Sequence, residues 1–266
     1  NMFSQPKKSG RIIDTYGCFA FHSGLIRNGC PEPEDDHDLH GEMPCAEMDR
    51  AWLEINNEGI KICGEAEYVK GFGHHYLARP TVTMFNRETF IEISMNVKNL
   101  SGTEMPLQYM CHTNYAYIEN AVMKQNIPVS AFKLRESIPG HVKPTGQWME
   151  YTKKLLSGDE LITTLNKPEM YDPEIVFFAD KLDQYQEEAE FEMVLPDGTA
   201  FFTRFSTAEL NYATRWILHN HDQQVGAFVL PATCRPEGFL AAERSGALLK
   251  LKAGEERSFT VVTGKK

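Results

Sequence analysis

The sequence predicts an all-β fold in which antiparallel strands pack as a sandwich or a closed barrel. Short alternating or β-branched runs recur along the chain with turn residues between them, and helical periodicity is scarce. Several of these runs are too apolar for strands with one face in water, which favours two packed sheets over one. The 266 residues suffice for one domain over residues 1–266, because β-sandwiches and barrels commonly reach about 200–250 residues.

The runs predicted as strands are separated by short turn signals. The Pro-Asp-Gly sequence at residues 196–198 has alternating apolar residues on both sides and is the clearest hairpin. The predicted strands span residues 61–66, 80–85, 89–97, 174–179, 189–195, 199–205, 225–230, 247–251 and 257–263. Residues 146–157 could form a short helix or a loop with one turn. Residues 1–35 are expected to be irregular or to hold partial N-terminal strands, and segments 29–44 and 118–144 are expected to be long loops.

Charge and motifs disfavour several classes of function. The chain has 27 Lys and Arg against 37 Asp and Glu, and the net charge of −10 disfavours binding to the phosphate backbone of nucleic acids. The sequence contains no phosphate-binding loop, dinucleotide fingerprint or serine-hydrolase elbow, so nucleotide chemistry is not expected. No apolar run approaches the ~20 residues of a membrane span, and a cytoplasmic location is the expectation.

The cysteines stand singly along the chain, and the sequence contains six of them. Because no Cys-x-x-Cys pair occurs, neither a zinc ribbon nor a thioredoxin-type redox motif is expected. A chain of this length can bury a large core without disulfide bonds, so free thiols in a reducing compartment are predicted.

A polar segment with two histidines lies at residues 35–42. His37 and His40 stand three residues apart among four acidic residues, so they could ligate a metal ion. Glu42 and one histidine of the pair at residues 74–75 would complete such a site. The segment lacks the alternation of a strand, which would aim ligands at one point, so two other interpretations stay open: a solvated acidic loop, or a histidine that faces a substrate.

A second cluster, at residues 109–117, combines His112 and Asn114 with three tyrosines. Aromatic rings with a few convergent polar groups are typical of small-molecule pockets, and of sugar sites in particular, because the C–H faces of sugars stack on rings. The alternative is a core histidine whose nitrogens are bonded to neighbouring hydroxyls.

Two charged residues elsewhere in the chain are further candidates. Arg79 lies in a run that reads as extended, and on the inner wall of a barrel its guanidinium would need an anion or hydroxyl partner. The alternative is an edge arginine in solvent. Glu237 follows a late predicted strand and could act as an acid or base, although exposed loop carboxylates are more common.

Three segments, in their order along the chain, resemble the aldose 1-epimerase (galactose mutarotase) superfamily, and more closely its bacterial mutarotase-like branch. They are a Leu-His-Gly sequence at residues 39–41 followed by Trp52, the run 97–113 that ends in His-Thr, and a closing turn at 249–255. The resemblance covers about residues 36–264. It implies an antiparallel β-supersandwich with few short helices and a cleft for a pyranose, and an activity that interconverts sugar anomers without a cofactor or metal.

The resemblance also implies roles for individual residues. His112 corresponds to the acid that protonates the ring oxygen, and His40 to a second histidine that orients the substrate. Arg79 resembles a strand arginine of the mutarotase-like branch. Glu174 corresponds to an acidic residue that binds a sugar hydroxyl, and Asn114 lies beside the histidine motif as a further substrate-binding candidate.

The catalytic base is where this sequence departs from the family. The position of the family glutamate falls on Leu230 or Pro231, neither of which can accept a proton. Glu237 stands in the place of a family aspartate and is the substitute candidate, with Glu243 and Glu209 behind it. A second departure is that only 39 residues precede His40, where the family has several strands.

The sequence therefore predicts a cytoplasmic enzyme that interconverts the anomers of a small sugar or sugar derivative, with His112 and Glu237 as the acid–base pair. A carbohydrate-binding module without a competent base is the first alternative. A metal-dependent sugar isomerase that uses the histidines of residues 37–40 is the second. The expected partner is a small sugar rather than a nucleic acid or a membrane, and a homodimer is compatible with the sequence.

Overall fold

The structure is a computed structural model that describes residues 10–15 and 17–266. It confirms the all-β prediction: two antiparallel sheets contain the named strands, and the described residues include only two α-helices. In chain order the strands are β1 (Ala20–Leu25), β2 (Arg50–Ile55), β3 (Gly59–Val69), β4 (His75–Phe85), β5 (Phe90–Asn99), β6 (Met105–Thr113), β7 (Val122–Gln125), β8 (Phe132–Leu134), β9 (Ile175–Asp180), β10 (Glu188–Val194), β11 (Ala200–Ser206), β12 (Tyr212–His219), β13 (Gln224–Ala232), β14 (Leu249–Leu251) and β15 (Glu256–Lys265). The helices are α1 (Gly146–Ser157) and α2 (Phe239–Arg244).

The two sheets contain seven and eight strands. The seven-stranded sheet has the order β1-β6-β13-β12-β9-β8, and β14 pairs with β6 beside this path. The eight-stranded sheet has the order β2-β3-β4-β5-β15-β11-β10-β7. Sequence neighbours pair in hairpins such as β3–β4 and β10–β11, whereas β6 and β13 come from distant parts of the chain. Strands that are distant in sequence are joined by long connections, such as residues 26–49 and 135–174. These connections contribute residues to one face of the seven-stranded sheet.

Every run predicted as a strand overlaps an observed strand, and the hairpin at residues 196–198 joins β10 to β11. β12 was not among the strands predicted from the sequence, although this strand is central to the seven-stranded sheet. Six consecutive residues of β12 are buried, because both faces of the strand are covered. A strand covered on both faces does not need the polar–apolar alternation by which half-buried strands are detected.

Helix α1 confirms the helical interpretation of residues 146–157. The side chain of Thr145 accepts a hydrogen bond from the backbone N–H of Trp148, which caps the first turn. The helix ends at Gly158, whose φ of 81° is in the left-handed region that glycine adopts without strain. Trp148, Tyr151 and Leu155 form its buried face. Neither α1 nor α2, among the residues described, has the length and apolar surface that a bilayer crossing requires.

Residues of β6 alternate between two apolar clusters. Tyr109 and Cys111 face the main core between the sheets, where Tyr109 stacks on Phe259 of β15 with ring centroids 4.9 Å apart. Met110 belongs to a second cluster with Trp216 of β12 on the opposite face of the same sheet. Since side chains alternate along a strand with period two, His112 points to the same side as Met110. The imidazole of His112 is thereby separated from the main core.

Asn99 joins three segments at the end of β5. Its Nδ2 donates to the backbone oxygens of Thr103, Leu251 and Lys252 at 2.8, 2.9 and 3.1 Å, and its Oδ1 accepts from Ser101. The side chain is fully buried, and the bond to Leu251 is buried as well, so water cannot replace the amide there. Asn99 therefore holds β14 and the turn after β5 together.

Replacing Asn99 with alanine should lower the free energy of unfolding by about 2–4 kcal/mol, because three backbone carbonyls lose a buried donor. Urea unfolding monitored by tryptophan fluorescence measures the change. Asn86→Ala is the matched control, since Asn86 is exposed and donates to a single carbonyl, that of Asn57. Equal losses in the two variants would contradict the role assigned to Asn99.

Candidate functional site

A cavity of about 340 Å³ lies on the face of the seven-stranded sheet that is turned away from the main core. The strands supply an apolar wall, which consists of Met110, Val176, Trp216, Leu218 and Leu230. The connections supply most of the polar residues, among them His40, Arg135, His141, Asp172 and Glu174. This volume lies at the lower end of the range of about 300–1,000 Å³ that is typical of small-molecule sites, and the mixed lining suits an amphipathic ligand.

Two histidines lie side by side in this cavity. The ring centroids of His40 and His112 are 5.1 Å apart, with an interplanar angle of 75°. Phe21 of β1 stacks on His112 at 4.4 Å, and Trp216 approaches its other side edge-on at 5.6 Å. The imidazole of His112 is thus held between two aromatic rings, which restricts its orientation.

The backbone conformation explains the glycine of the Leu-His-Gly sequence at residues 39–41. His40 and Gly41 both have positive φ values, 63° and 77°, so the chain reverses sharply at these two residues. A Cβ at Gly41 would lie 1.9 Å from the carbonyl oxygen of Arg27, and only glycine fits there. The backbone N–H of His40 donates to Gly29 and its carbonyl accepts from Gly24, which fixes the turn that carries the imidazole.

Burial keeps both imidazoles neutral. Loss of contact with water lowers the pKa of His112 to about 3, and hydrogen bonding with the Asn114 side chain opposes this shift in part. Burial, followed by the proximity of His112, lowers the pKa of His40 well below its usual value. At neutral pH each ring therefore carries one N–H donor and one acceptor nitrogen.

A carboxylate with several partners lies beside the histidines. Glu174 precedes β9, and its Oε1 accepts from Arg135 Nη2 at 2.5 Å while its Oε2 accepts from Trp216 Nε1 at 2.7 Å. The Nε2 of His141 is 3.9 Å from Oε1. The backbone carbonyl of Glu174 accepts from Trp148 Nε1 at 2.7 Å. The side chains of Glu174 and Arg135 are each 9% exposed, so these bonds compensate a charge pair that is nearly removed from water.

Three of the predicted site residues meet in the cavity. His40, His112 and Glu174 all line it. Asn114 lies next to it: its Nδ2 donates to the carbonyl of Cys18 at 2.9 Å, and its side chain contacts His112. Leu230, one of the two positions to which the resemblance assigns the glutamate of the aldose 1-epimerases, also lines the cavity.

Arg79 and Glu237 lie outside the lining. Arg79 is on β4, on the solvent face of the other sheet, where its Nε donates to Glu65 Oε2 at 2.9 Å. Period-two alternation along β4 places Arg79 opposite to the core residue Ala78, which explains its distance from the cavity. The Oε1 of Glu237 accepts from the hydroxyl of Ser137 at 2.9 Å, although the neighbouring Pro236 does line the cavity.

Glu209 and Glu243, the other candidates for the catalytic base, also lie outside the cavity lining. Glu209 accepts from the backbone N–H of Thr260 on the eight-stranded sheet, and Glu243 is exposed on α2. The sequence analysis missed Trp216, Arg135, His141 and Asp172 as cavity residues. A tryptophan in an apolar run was a usable signal for β12, whereas Arg135 and His141 lie in irregular chain with no periodic pattern.

The residues of the metal-site hypothesis do not converge. Glu42 Oε1 accepts from the backbone N–H groups of Leu25 and Ile26 and from Tyr76 Oη. His75 Nε2 is 2.6 Å from Glu67 Oε1, on the eight-stranded sheet. Across residues 10–15 and 17–266, no group of three or more His, Cys, Asp or Glu side chains has the arrangement of a metal site. The six cysteines are free thiols.

Comparison with known proteins gives a family and a fold. A family model described as a domain of unknown function (DUF4432) matches residues 2–263. A search of curated proteins finds no significant match. Among solved structures, a candidate aldose 1-epimerase from Klebsiella pneumoniae is similar at a TM-score of 0.78 and 15% identity, with 98% of this chain and 66% of that protein covered.

Two further solved structures are similar over most of their length. A candidate aldose 1-epimerase from Escherichia coli K12 has a TM-score of 0.61 at 14% identity, with 99% of this chain and 88% of that one covered. A galactose mutarotase-like protein from Clostridium acetobutylicum has a TM-score of 0.57 at 15% identity, with 93% and 78% covered. At these identities the likeness shows the fold, which is the galactose mutarotase-like β-sandwich.

The neutral histidines make the folded state sensitive to acid. Unfolded histidine has a pKa near 6.5, whereas that of folded His112 is about 3, so below pH 6.5 the unfolded state binds more protons and stability falls. Between pH 6.5 and 4 we expect His112 to account for about 3 kcal/mol of this loss. Urea unfolding of wild type and His112→Gln at both pH values measures it.

His221→Gln is the control, because His221 is exposed in the turn after β12. Carboxylates that titrate in the same range affect all three proteins alike, so the difference between variants isolates the histidine. Parallel pH dependence of wild type and His112→Gln would contradict the buried neutral imidazole.

Proposed function

This chain belongs to the DUF4432 family, a family of unknown function, and we propose that it binds a small sugar or sugar derivative in the cavity and interconverts its anomers. The observation that carries the proposal is the grouping of two neutral imidazoles and one buried carboxylate around the indole of Trp216. His112 lies 5.6 Å from this ring and Glu174 is bonded to its Nε1, so both groups can reach one ligand placed between them.

The lining suits a pyranose. Apolar C–H faces of a sugar pack against Trp216, Met110 and Leu230, while hydroxyl groups need donors and acceptors on the other side. His40 offers one donor and one acceptor nitrogen in its neutral state. Arg135 is anchored by Glu174, and Asp172 lies at the exposed rim, so polar groups of both signs surround the ligand.

Anomer exchange needs a proton acceptor at the anomeric hydroxyl and a donor at the ring oxygen. Each oxygen of Glu174 already accepts one bond, from Arg135 or Trp216, and keeps a further lone pair for the hydroxyl proton. Glu174 takes the proton of the anomeric hydroxyl as this oxygen becomes a carbonyl oxygen and the bond from the anomeric carbon to the ring oxygen breaks. His112 donates a hydrogen bond from its neutral imidazole to the ring oxygen and stabilises the charge that develops there. The proton held by Glu174 is then passed to the ring oxygen, which gives the neutral open-chain sugar. Rotation of the open chain and closure on the other face complete the exchange.

Positioned acid–base groups of this kind each contribute about 10²–10⁴-fold in rate. Two further features are needed for this contribution: the groups must be held in place, and water must be scarce. Phe21 and Trp216 hold the imidazole of His112, and Arg135 holds the carboxylate of Glu174. The cytoplasmic location and the homodimer stay predictions.

A binding module is the second candidate function, and one observation favours it. The resemblance places the glutamate of the aldose 1-epimerases at Leu230 or Pro231, and Leu230 lines the cavity, so neither candidate position on that strand supplies a base. In this case the cavity would bind a sugar without turnover, and Glu174 would serve only to hold Arg135 and a hydroxyl. Binding and exchange must therefore be measured separately.

His112→Ala should lower the rate of anomer exchange at least about 10²-fold, because the ring oxygen loses its donor. A panel of aldoses, uronates and sugar phosphates is first screened by thermal shift, since a ligand that binds the folded state raises Tm. Exchange for each binder is then followed by saturation-transfer NMR. His221→Ala, in an exposed turn, is the control and should exchange at the wild-type rate.

The same measurements separate the two functions. Glu174→Gln removes the proton acceptor and should lower exchange at least as much as His112→Ala. Because its NH2 group faces Arg135 or Trp216, both of which are donors, the variant should also have a lower Tm, and sugar binding is judged from the rise in Tm over the same variant without sugar. Exchange that is unaltered by either substitution would overturn the assigned roles. A sugar that raises Tm but shows no exchange above the uncatalysed rate in wild type would establish the binding module instead.

A further inference from the structure

We infer that Glu237 is a positioning residue, which through the hydroxyl of Ser137 holds the segment 135–145 as one wall of the cavity. This wall segment connects β8 to α1 and contains no helix or strand. It contributes Arg135, His141 and Val142 to the lining. The kinetic part of the inference rests on the proposed function, whereas its structural part does not.

The two ends of the wall segment differ in how they are attached. At the start, the backbone N–H of Arg135 donates to Val176 at 2.8 Å, and the guanidinium is bonded to Glu174. Beyond Arg135 the chain leaves the sheet, and Ser137 and Ile138 are exposed. The bond from Ser137 Oγ to Glu237 Oε1, at 2.9 Å, crosses 100 residues of sequence and ties this exposed part to the end of β13.

The backbone around Glu237 is held by hydrogen bonds to the segment after β1. Glu237 forms an isolated antiparallel bridge with Gly29, and the N–H of Cys30 donates to the carbonyl of Pro236 at 2.9 Å. Arg235 lies 3.7 Å from Glu237 and is held by Asp180 through three hydrogen bonds. Glu237 therefore joins the segment after β1, the end of β13 and the wall segment, and each of the three carries cavity residues.

The carboxylate of Glu237 already interacts with Ser137 and Arg235. Its two oxygens face Ser137 and Arg235, and the side chain does not line the cavity. A base must lie within hydrogen-bond reach of the proton that it removes, either directly or through one water. Glu237 instead acts on the ligand through the position of His141 and Arg135, which it sets by holding Ser137.

Glu237→Ala and Ser137→Ala should each loosen the wall segment, and hydrogen exchange followed by mass spectrometry measures this directly. Amide exchange over residues 136–145 should rise about 5- to 20-fold in both variants, because one charged hydrogen bond is lost. In Glu237→Gln the amide oxygen still accepts from Ser137, so exchange should return close to the wild-type rate. Ser130→Ala, on the exposed turn Val129–Ala131, is the matched control and should leave exchange unaltered.

The kinetic test uses a sugar that wild type turns over. Both alanine variants should raise KM about 5- to 20-fold with a smaller effect on kcat, and the double variant should be no worse than either single one, because the two residues share one bond. Glu237→Gln should restore KM. A catalytic base at residue 237 would instead lower kcat about 10²-fold or more in Glu237→Gln and remove a limb of the pH profile.

The possible outcomes are distinct. Unchanged amide exchange in Glu237→Ala, or a loss of kcat in Glu237→Gln, overturns the positioning role. If no sugar is bound or turned over, the proposed function fails, and the amide exchange of Ser137→Ala and Glu237→Gln still decides whether the two residues hold the wall segment. Near-UV circular dichroism of each variant shows that the fold is retained.

Discussion

The organisation of the cavity depends on the hydrogen bonds that the buried Glu174 carboxylate accepts. A charge that is nearly removed from water must be compensated, and Glu174 achieves this with Arg135 on one oxygen and Trp216 on the other. These two bonds bring an irregular connection and a central strand to the same point. The bond from Trp148 to the carbonyl of Glu174 adds helix α1. The carboxylate thus organises elements that the sheets alone would leave apart.

The period-two alternation of the central strands places core residues and cavity residues on opposite faces of the same strands. On β6, Tyr109 and Cys111 pack into the core between the sheets, whereas Met110 and His112 face the cavity. One strand can therefore carry a well-packed core surface and a cavity-lining surface at once. Arg215 and Trp216 of β12 show the same separation, because the guanidinium of Arg215 is buried against Phe132 while the indole lines the cavity.

The chemistry of the site follows from low hydration rather than from charge. Burial lowers the pKa of His112 to about 3 and that of His40 well below its usual value, so the cavity offers neutral imidazoles next to one compensated ion pair. Such a site donates and accepts hydrogen bonds without attracting ions strongly, which suits a polyhydroxylated ring. Among the described residues that line the cavity, Glu174 is the buried carboxylate.

The amino-acid sequence by itself determined the strands with regular alternation and the hairpin at residues 196–198, because these signals are local. His40, His112 and Glu174 were candidates through the family resemblance, and the structure places all three in the cavity lining. Only the tertiary structure decided that Arg79 is on the far sheet and that Glu237 binds Ser137, since one residue of register or one loop path reverses such assignments. Arg135, His141 and Trp216 reach the cavity through contacts between distant segments, which no local pattern encodes.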